Sequence, residues 1–167
     1  MEAELYTMHP SAQLTLSFMP HPRGYDWLPD AVASYHARGV RLVVSLLTEA
    51  EVWVSGLMDE ADVCATAGSR FVAFPITDRG VPPFAPPTFA FIQTLADEVR
   101  AGTRVAIHCW AGIGRSALIA ASVLVALGLD AQMAFQMLMR ARGMAVPDTP
   151  EQYDWVERFA RNQRPVS

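Results

Sequence analysis

Short apolar strands alternate with helices along most of this chain, and this alternation restricts its fold more than any other feature. RLVVSLL (residues 41–47), RFVAFPI (70–76) and RVAIHC (104–109) are typical of buried strands. LTLSF (14–18) alternates apolar and small polar residues and predicts a first strand at the edge of the sheet. Helical crossovers join parallel strands. The sequence therefore predicts an α/β fold: a single domain whose mainly parallel central sheet, of about four to five strands, has helices on both faces.

Helix boundaries are marked by capping residues, glycines and prolines. Thr48 and Glu51 have the spacing of a capping box, and Thr149 and Gln152 repeat it before the last helix. We expect one domain over residues 1–167, with residues 1–10 as a loose N-terminal tail. Besides the helix that opens at Thr48, helices are expected at residues 29–38, 58–67, 88–100, 115–127, 131–142 and 150–162.

Composition excludes several classes of protein. The chain is 51% hydrophobic and 18% charged, as folded domains are, and its net charge of −4 argues against nucleic acid and against an acidic membrane surface as partners. The longest apolar run, ALIAASVLVALGL (117–129), is shorter than the ~20 residues of a membrane span and predicts a buried helix. The N-terminus lacks the apolar core of a secretory signal, and two cysteines form no disulfide framework. We therefore expect a cytoplasmic protein.

HCWAGIGRS (108–116), at the end of the last strand, is the stretch that carries chemistry. It is interpretable as a tight turn beside a small buried cysteine. GIGRSA also fits a dinucleotide-binding motif, which needs a further strand ending in an acidic residue about 20 positions on. Those positions fall in MAFQMLMRA, which is typical of a helix, so we reject that interpretation.

The spacing Cys-x5-Arg gives each residue of this stretch a chemical use. A short loop that runs onto a helix N-terminus directs backbone N–H groups into one concavity, which suits a phosphate dianion and favours a thiolate at the start of the loop. An arginine at the start of the helix offers two parallel donors to phosphate oxygens. We call residues 109–115 the phosphate loop. Its predicted phosphate-binding residues are Trp110, Ala111, Gly112, Ile113, Gly114 and Arg115.

The stretch HCWAGIGRS resembles the signature of the cysteine-dependent protein tyrosine phosphatases, in particular the compact dual-specificity-like branch that includes the kinase-associated phosphatases. The histidine, cysteine, both glycines, arginine and following serine all match. VSLLTEAE and FPITDRGVP resemble the same proteins more loosely. The resemblance implies a phosphomonoester hydrolase that acts through a phosphocysteine intermediate, without cofactor or metal. The four scattered histidines also lack the spacing of metal ligands.

The resemblance also assigns catalytic roles. Cys109 would be the nucleophile and Arg115 would hold the phosphate oxygens. Asp78, in the loop TDRGVPPFAPP, would be the general acid and then the base, although an aspartate before a glycine is also a common turn residue. Ser116 would stabilise the departing thiolate.

Four further residues have two interpretations or a supporting role. We expect His108 to hold the backbone of the phosphate loop. Gln152 either completes its capping box or positions the hydrolytic water, as a glutamine does in related enzymes. Glu51 either completes its own capping box or pairs with the loop arginine. Cys64 is expected to be buried, the alternative being a redox bridge to the signature cysteine.

The substrate is less constrained than the chemistry. The expected partners are a phosphorylated protein or a small phosphomonoester, with inorganic phosphate or sulfate able to occupy the loop. The short chain predicts a shallow pocket, and candidate rim residues are Arg23, Tyr25, Arg79 and Trp110. Two alternatives stay open: a phosphate- or phosphopeptide-binding pseudophosphatase, and a phosphatase of a non-protein phosphate. The absence of Lys and Arg between Cys109 and Arg115 disfavours polyphosphorylated inositides.

Overall fold

The central sheet contains both parallel and antiparallel pairs. The computed structural model describes residues 5–7 and 15–163. Within them the strand order is β1-β2-β5-β3-β4, and all pairs are parallel except β1 with β2. This confirms the predicted fold class. The strands are β1 (Tyr6–Thr7), β2 (Leu16–Pro20), β3 (Val40–Ser45), β4 (Arg70–Ala73) and β5 (Arg104–Cys109).

The helices lie close to their expected positions. Both predicted capping boxes form, at Thr48 with Glu51 and at Thr149 with Gln152. The fourth helix begins at Pro86, two residues before the expected start, because N–H groups in a first turn need no partner within the helix and proline fits there. The helices are α1 (Leu28–Ala37), α2 (Glu49–Ser55), α3 (Glu60–Ala67), α4 (Pro86–Arg100), α5 (Arg115–Ala126), α6 (Ala131–Arg142) and α7 (Pro150–Gln163).

The N-terminal segment departs from the expectation of a loose tail. Tyr6 and Thr7 pair antiparallel with Phe18 and Ser17, and the Tyr6 ring lies 5.7 Å from that of Phe18. β2 is therefore not the edge strand that the sequence predicted, since β1 covers it. Residues 1–4 and 8–10, and Leu14 of the predicted first strand, lie outside the described residues.

Strand β4 is shorter than the sequence predicted. RFVAFPI was expected to form a strand that stops at Pro75, and β4 already ends at Ala73. Backbone bonds from Phe74 N to Ser45 O and from Ile76 N to Leu46 O continue the course of the strand beyond this point. Pro75, which lies between them, has no N–H to donate and interrupts the ladder.

Hydrophobic clusters cover both faces of the sheet. One cluster packs α4, α5, α6 and α7 against residues such as Val44 and Ile107, and the other packs α1 and α3 against Val43 and Ala106. Every residue of α5 except its last is buried, which confirms the buried helix expected for residues 117–129. Among the described residues, none of the helices has the length and apolar character needed to cross a membrane.

This topology brings four connections together at one edge of the sheet. Strands β2, β3, β4 and β5 are parallel, so the segments that follow them leave from the same edge. In open α/β sheets this edge holds the ligand crevice. The phosphate loop follows the central strand β5, with Asp78 downstream of β4 and Glu51 downstream of β3.

Candidate active site

The phosphate loop is built from the end of β5 and the start of α5. Cys109 ends the strand and is only 2% exposed, and Arg115 begins the helix. Gly112 has φ +66°, and a Cβ there would lie 2.5 Å from Pro20 N. A Cβ on Gly114 would lie 2.9 Å from the Cβ of Asp148. Both glycines are therefore needed for the loop to fit between β2 and the segment before α7.

Cys109 and Ser116 are directly opposed. Ser116 Oγ lies 3.3 Å from Cys109 Sγ, and the Ser116 side chain is fully buried. The N-terminus of α5 carries no side-chain cap, so its first N–H groups are available on the same side. A thiolate at Cys109 would therefore face a hydroxyl donor and the positive end of a helix dipole.

Arg115 is buried and held by four hydrogen bonds. Its Nη1 donates to Glu51 Oε2 (2.8 Å) and Ile76 O (2.9 Å), and its Nη2 donates to Glu51 Oε1 (2.8 Å) and Asp78 Oδ1 (3.1 Å). Burial disfavours the charged guanidinium, but the hydrogen bonds to Glu51 and the nearby negative charges outweigh burial and raise the pKa of Arg115. The guanidinium is therefore charged and fixed in orientation.

Glu51 has both of the functions that the sequence left as alternatives. Its Oε2 accepts from Thr48 N at 2.9 Å, which completes the capping box, and the same carboxylate binds Arg115 through two parallel bonds. Burial raises the pKa of Glu51, but the hydrogen bonds from Arg115 and Thr48 outweigh it, and the net pKa lies below the ordinary value. Glu51 therefore stays ionised and anchors Arg115 to α2.

Asp78 lies in a loop of residues 77–85, which we call the acid loop. Its side chain is 67% exposed, and its Oδ1 is the second partner of Arg115 Nη2. The next residue, Arg79, has φ +58°, and Gly80 N bonds to Thr77 O at 2.8 Å. This tight turn brings the Asp78 carboxylate to the same arginine that the phosphate loop contributes.

His108 does not hold the phosphate loop as we expected. Its Nε2 lies 2.9 Å from Glu60 Oε1, and both side chains are buried. Among residues 5–7 and 15–163, neither His108 Nδ1 nor Glu60 Oε2 has a hydrogen-bond partner. Adjacent residues of a strand point to opposite faces, so the imidazole lies on the α3 side of the sheet and Cys109 on the α5 side. This pair could not be predicted from the sequence, because an acidic residue in a helix's first turn is commonplace.

Gln152 completes its capping box and also contacts the acid loop. Its Oε1 accepts from Asp148 N and Thr149 N, and its Nε2 donates to Gly80 O at 3.1 Å. The side chain is fully buried. Both ends of the amide thus bind backbone groups, and the bond to Gly80 uses one of the two N–H groups of Nε2, so the alternative of positioning a water stays a prediction.

Arg142, at the end of α6, is a contributor that the sequence did not reveal. Its guanidinium donates to Gly112 O at 3.0 Å and to Ala111 O at 3.4 Å, and it lies 4.2 Å from the centre of the Tyr6 ring. By donating to these two carbonyl oxygens, Arg142 holds them turned away from the centre of the phosphate loop. The sequence could not indicate this, because a basic residue in a last helical turn is common for other reasons.

The remaining candidate residues lie around the loop or away from it. Trp110 is 41% exposed, and its ring centre lies 4.7 Å from that of His21. Tyr25 is 65% exposed, and Arg23 lies 4.1 Å above the ring of Trp27. Ala111 is exposed and Ile113 half-buried.

Cys64 is separated from the phosphate loop by the sheet. It belongs to the cluster on the α3 side, whereas Cys109 belongs to the α5 side, and both cysteines are free. Burial, with the nearby Glu60 charge, raises the pKa of the Cys64 thiol to about 12. These observations oppose the alternative of a redox bridge between the two cysteines, since a thiol reacts as its thiolate.

Comparison with known families decides the classification. A family model described as "Tc-R-P: Polymorphic toxin system, DSP-PTPase phosphatase" matches residues 19–129, more than half of the chain. The chain belongs to the DSP-PTPase phosphatase family. The match includes the phosphate loop and Asp78, so the resemblance seen in HCWAGIGRS is confirmed at the level of the family.

A curated relative matches about half of the chain. Cyclin-dependent kinase inhibitor 3 of Rattus norvegicus is 32% identical over 87 residues, which are 51% of this chain and 41% of that protein. The chain thus matches less than half the length of that relative.

The solved structures show that the fold extends over nearly the whole chain. A kinase associated phosphatase, with its catalytic-site cysteine replaced by serine, superimposes with a TM-score of 0.85 at 19% identity, covering 97% of this chain and 96% of the other. Tk-PTP in its active form gives a TM-score of 0.68 at 26% identity over 92% and 99% of the two chains. PTPMT1 in complex with PI(5)P gives 0.69 at 19% over 89% and 91%.

Proposed function

We propose that this DSP-PTPase family member is an active phosphomonoester hydrolase that works through a phosphocysteine intermediate. The observation that carries the proposal is the buried Arg115 guanidinium, fixed by Glu51 and Ile76 and reaching Asp78 at the mouth of the phosphate loop. An arginine with only a structural role would not need to contact the candidate acid Asp78 from the end of a loop that begins with a buried cysteine. The arrangement provides a nucleophile, an oxyanion site and a proton donor within a single crevice.

The first step transfers the phosphoryl group to sulfur. The Cys109 thiolate attacks phosphorus, the bond from phosphorus to the leaving oxygen breaks, and protonated Asp78 gives its proton to that oxygen. The loop N–H groups and Arg115 stabilise the equatorial oxygens. Because Asp78 Oδ1 occupies a donor on Arg115 Nη2, a phosphate oxygen takes its place when substrate binds.

The second step hydrolyses the intermediate. The Asp78 carboxylate takes a proton from water, the water oxygen attacks phosphorus, and the sulfur–phosphorus bond breaks. The departing thiolate accepts a hydrogen bond from Ser116 Oγ, which lies 3.3 Å away. Inorganic phosphate then leaves, and Cys109 is ready for another cycle.

The substrate we propose is a singly phosphorylated group on a protein or a small molecule. Arg115 is the only cation within residues 109–115 of the sequence, which suits one phosphate rather than several. Trp110, an exposed residue of the phosphate loop, offers apolar surface to the group that carries the phosphate. The binding-only alternative is not favoured, because both the cysteine and the arginine of the signature are present.

Turnover of para-nitrophenyl phosphate in the presence of EDTA tests the proposal. We expect the intact protein to release nitrophenol and Cys109→Ser to lose at least about 10³-fold of the rate, since nucleophilic catalysis has no substitute at the site. Cys64→Ala, which removes the other cysteine, serves as the matched control and should retain activity. Activity that survives in Cys109→Ser, or a folded wild-type protein without turnover, would contradict the proposal.

A further inference from the structure

The start of α7 and the segment before it contact the acid loop at three points. Gln152 Nε2 donates to Gly80 O at 3.1 Å, and Trp155 Nε1 donates to Pro82 O at 2.9 Å. Arg79 Nη1 contacts both carboxylate oxygens of Asp148, at 3.2 and 3.1 Å. The first two donors belong to buried side chains, whereas the ion pair is solvent-exposed and contributes less.

Gln152 is the contact with the most constrained geometry. Its Oε1 accepts from Asp148 N (3.1 Å) and Thr149 N (3.2 Å), and its backbone N bonds to Thr149 Oγ1 (3.2 Å). These bonds fix which end of the amide faces which partner, so only Nε2 remains to meet the acid loop. The buried amide also lies 3.0 Å from where a Cβ on Gly114 would be placed. One side chain therefore touches both the phosphate loop and the acid loop.

The bond to Gly80 acts on the turn that carries Asp78. Arg79, between these two residues, has φ +58°, a left-handed conformation that is unfavourable for a non-glycine residue. Surrounding contacts must hold such a turn. Gly80 N is bonded to Thr77 O, and Gly80 O is bonded to Gln152, so hydrogen bonds hold the turn through both backbone polar groups of Gly80.

We propose that Gln152 is a positioning residue for general acid catalysis: it holds the acid loop so that Asp78 faces a substrate bound in the phosphate loop. This inference rests on the proposed function, because it gives Gln152 an effect only through Asp78. It assigns the glutamine to the proton-transfer step rather than to orienting water. Loss of the Gly80 bond is expected to matter in proportion to how much the leaving group needs a proton.

Gln152→Glu separates this role from general structural support. The carboxylate keeps the acceptor for Asp148 N and Thr149 N but cannot donate to Gly80 O. Phenyl phosphate has a poor leaving group and needs the acid, whereas dinitrophenyl phosphate has a good one and does not. We expect kcat/KM for phenyl phosphate, which reports the first transfer alone, to fall by about tenfold or more, a part of the 10²–10⁴-fold that acid catalysis supplies. The value of kcat/KM for dinitrophenyl phosphate should change by less than about twofold.

Controls make each outcome decisive. Gln136→Glu introduces the same charge on the exposed face of α6 and should change neither rate. If the buried charge prevents Gln152→Glu from folding, Gln152→Met removes the same donor without a charge and should show the same selective loss. Equal losses on both substrates, or no loss in a folded variant, would overturn the proposal.

Asp78→Asn in the same assay distinguishes failure of this inference from failure of the proposed function. If Asp78→Asn loses phenyl phosphate turnover selectively and the Gln152 variants do not, only the role of Gln152 is wrong. If Asp78→Asn shows no selectivity, Asp78 is not the acid and the proposed mechanism itself fails. In the double variant, Gln152→Glu should add no further selectivity to that of Asp78→Asn, because both act on one proton transfer.

Discussion

Arg115→Lys lowers kcat/KM for para-nitrophenyl phosphate by about 10³-fold in our account, the scale of losing an oxyanion donor at a buried site. A guanidinium can bind Glu51, Ile76 O and a phosphate oxygen at the same time, because its donors lie in one plane. A lysine ammonium has three donors at one point and cannot reach all of these acceptors. The carboxylate of Glu51 then loses its two parallel bonds, and the position of α2 against the loop is less well fixed.

Steady-state kinetics with para-nitrophenyl phosphate measure this effect, and circular dichroism verifies that the variant is folded. Arg161→Lys is the matched control, since the Arg161 side chain is 66% exposed and its ion pair with Glu157 is long at 3.9 Å. We expect that control to behave as the wild type. Arg115→Lys activity within tenfold of the wild type would mean that the planar arrangement of the guanidinium donors is not what stabilises the transferring phosphoryl group.

Asp78→Asn lowers kcat/KM for phenyl phosphate by about 10²–10³-fold, because asparagine preserves the shape of the side chain and cannot transfer a proton. The loss of kcat/KM for dinitrophenyl phosphate, whose leaving group needs no acid, is much smaller. Inhibition by inorganic phosphate becomes stronger, since the Asp78 carboxylate competes with phosphate for Arg115 Nη2 at 3.1 Å in the unliganded site. In this variant we therefore expect catalysis to weaken while phosphate binding strengthens.

Rates on the two substrates and the inhibition constant of phosphate are the measurements. Asp97→Asn removes a carboxylate from the exposed surface of α4, where the side chain is 64% accessible, and controls for the change in net charge. A phosphate inhibition constant that rises in Asp78→Asn, or equal rate losses on both substrates, would contradict the position assigned to Asp78.

Local sequence signals predicted the elements well, and the reason is physical. The capping boxes at Thr48 and Thr149 and the glycines after helices act within a few residues, so spacing alone reveals them. The run at residues 117–129 was recognisable as a buried helix from its apolar content. Strand β1 was missed because two residues carry no periodicity, and their pairing with β2 depends on how the intervening chain folds back.

In the candidate site, too, local contacts could be predicted from the sequence and long-range contacts could not. Cys109, Arg115 and Ser116 lie within eight consecutive residues, and one stretch of sequence suffices to place them together. The pairing of His108 with Glu60 spans 48 positions, and that of Arg142 with Gly112 spans 30. Such pairs depend on which helix packs on which face of the sheet, which composition and periodicity do not specify. Glu51 shows a further limit, because its cap was visible in the sequence while its second use by Arg115 was only an alternative.

Trapping the covalent intermediate tests the central claim most directly. Ser116→Ala removes the hydroxyl that faces Cys109 Sγ, so we expect release of the thiolate to slow and the phosphorylated enzyme to accumulate with dinitrophenyl phosphate. After acid quenching, mass spectrometry should find a phosphoryl group on the peptide that contains Cys109, together with a burst of dinitrophenol that matches the enzyme concentration. Turnover without such a burst, or with the phosphoryl group on another residue, would contradict a phosphocysteine mechanism.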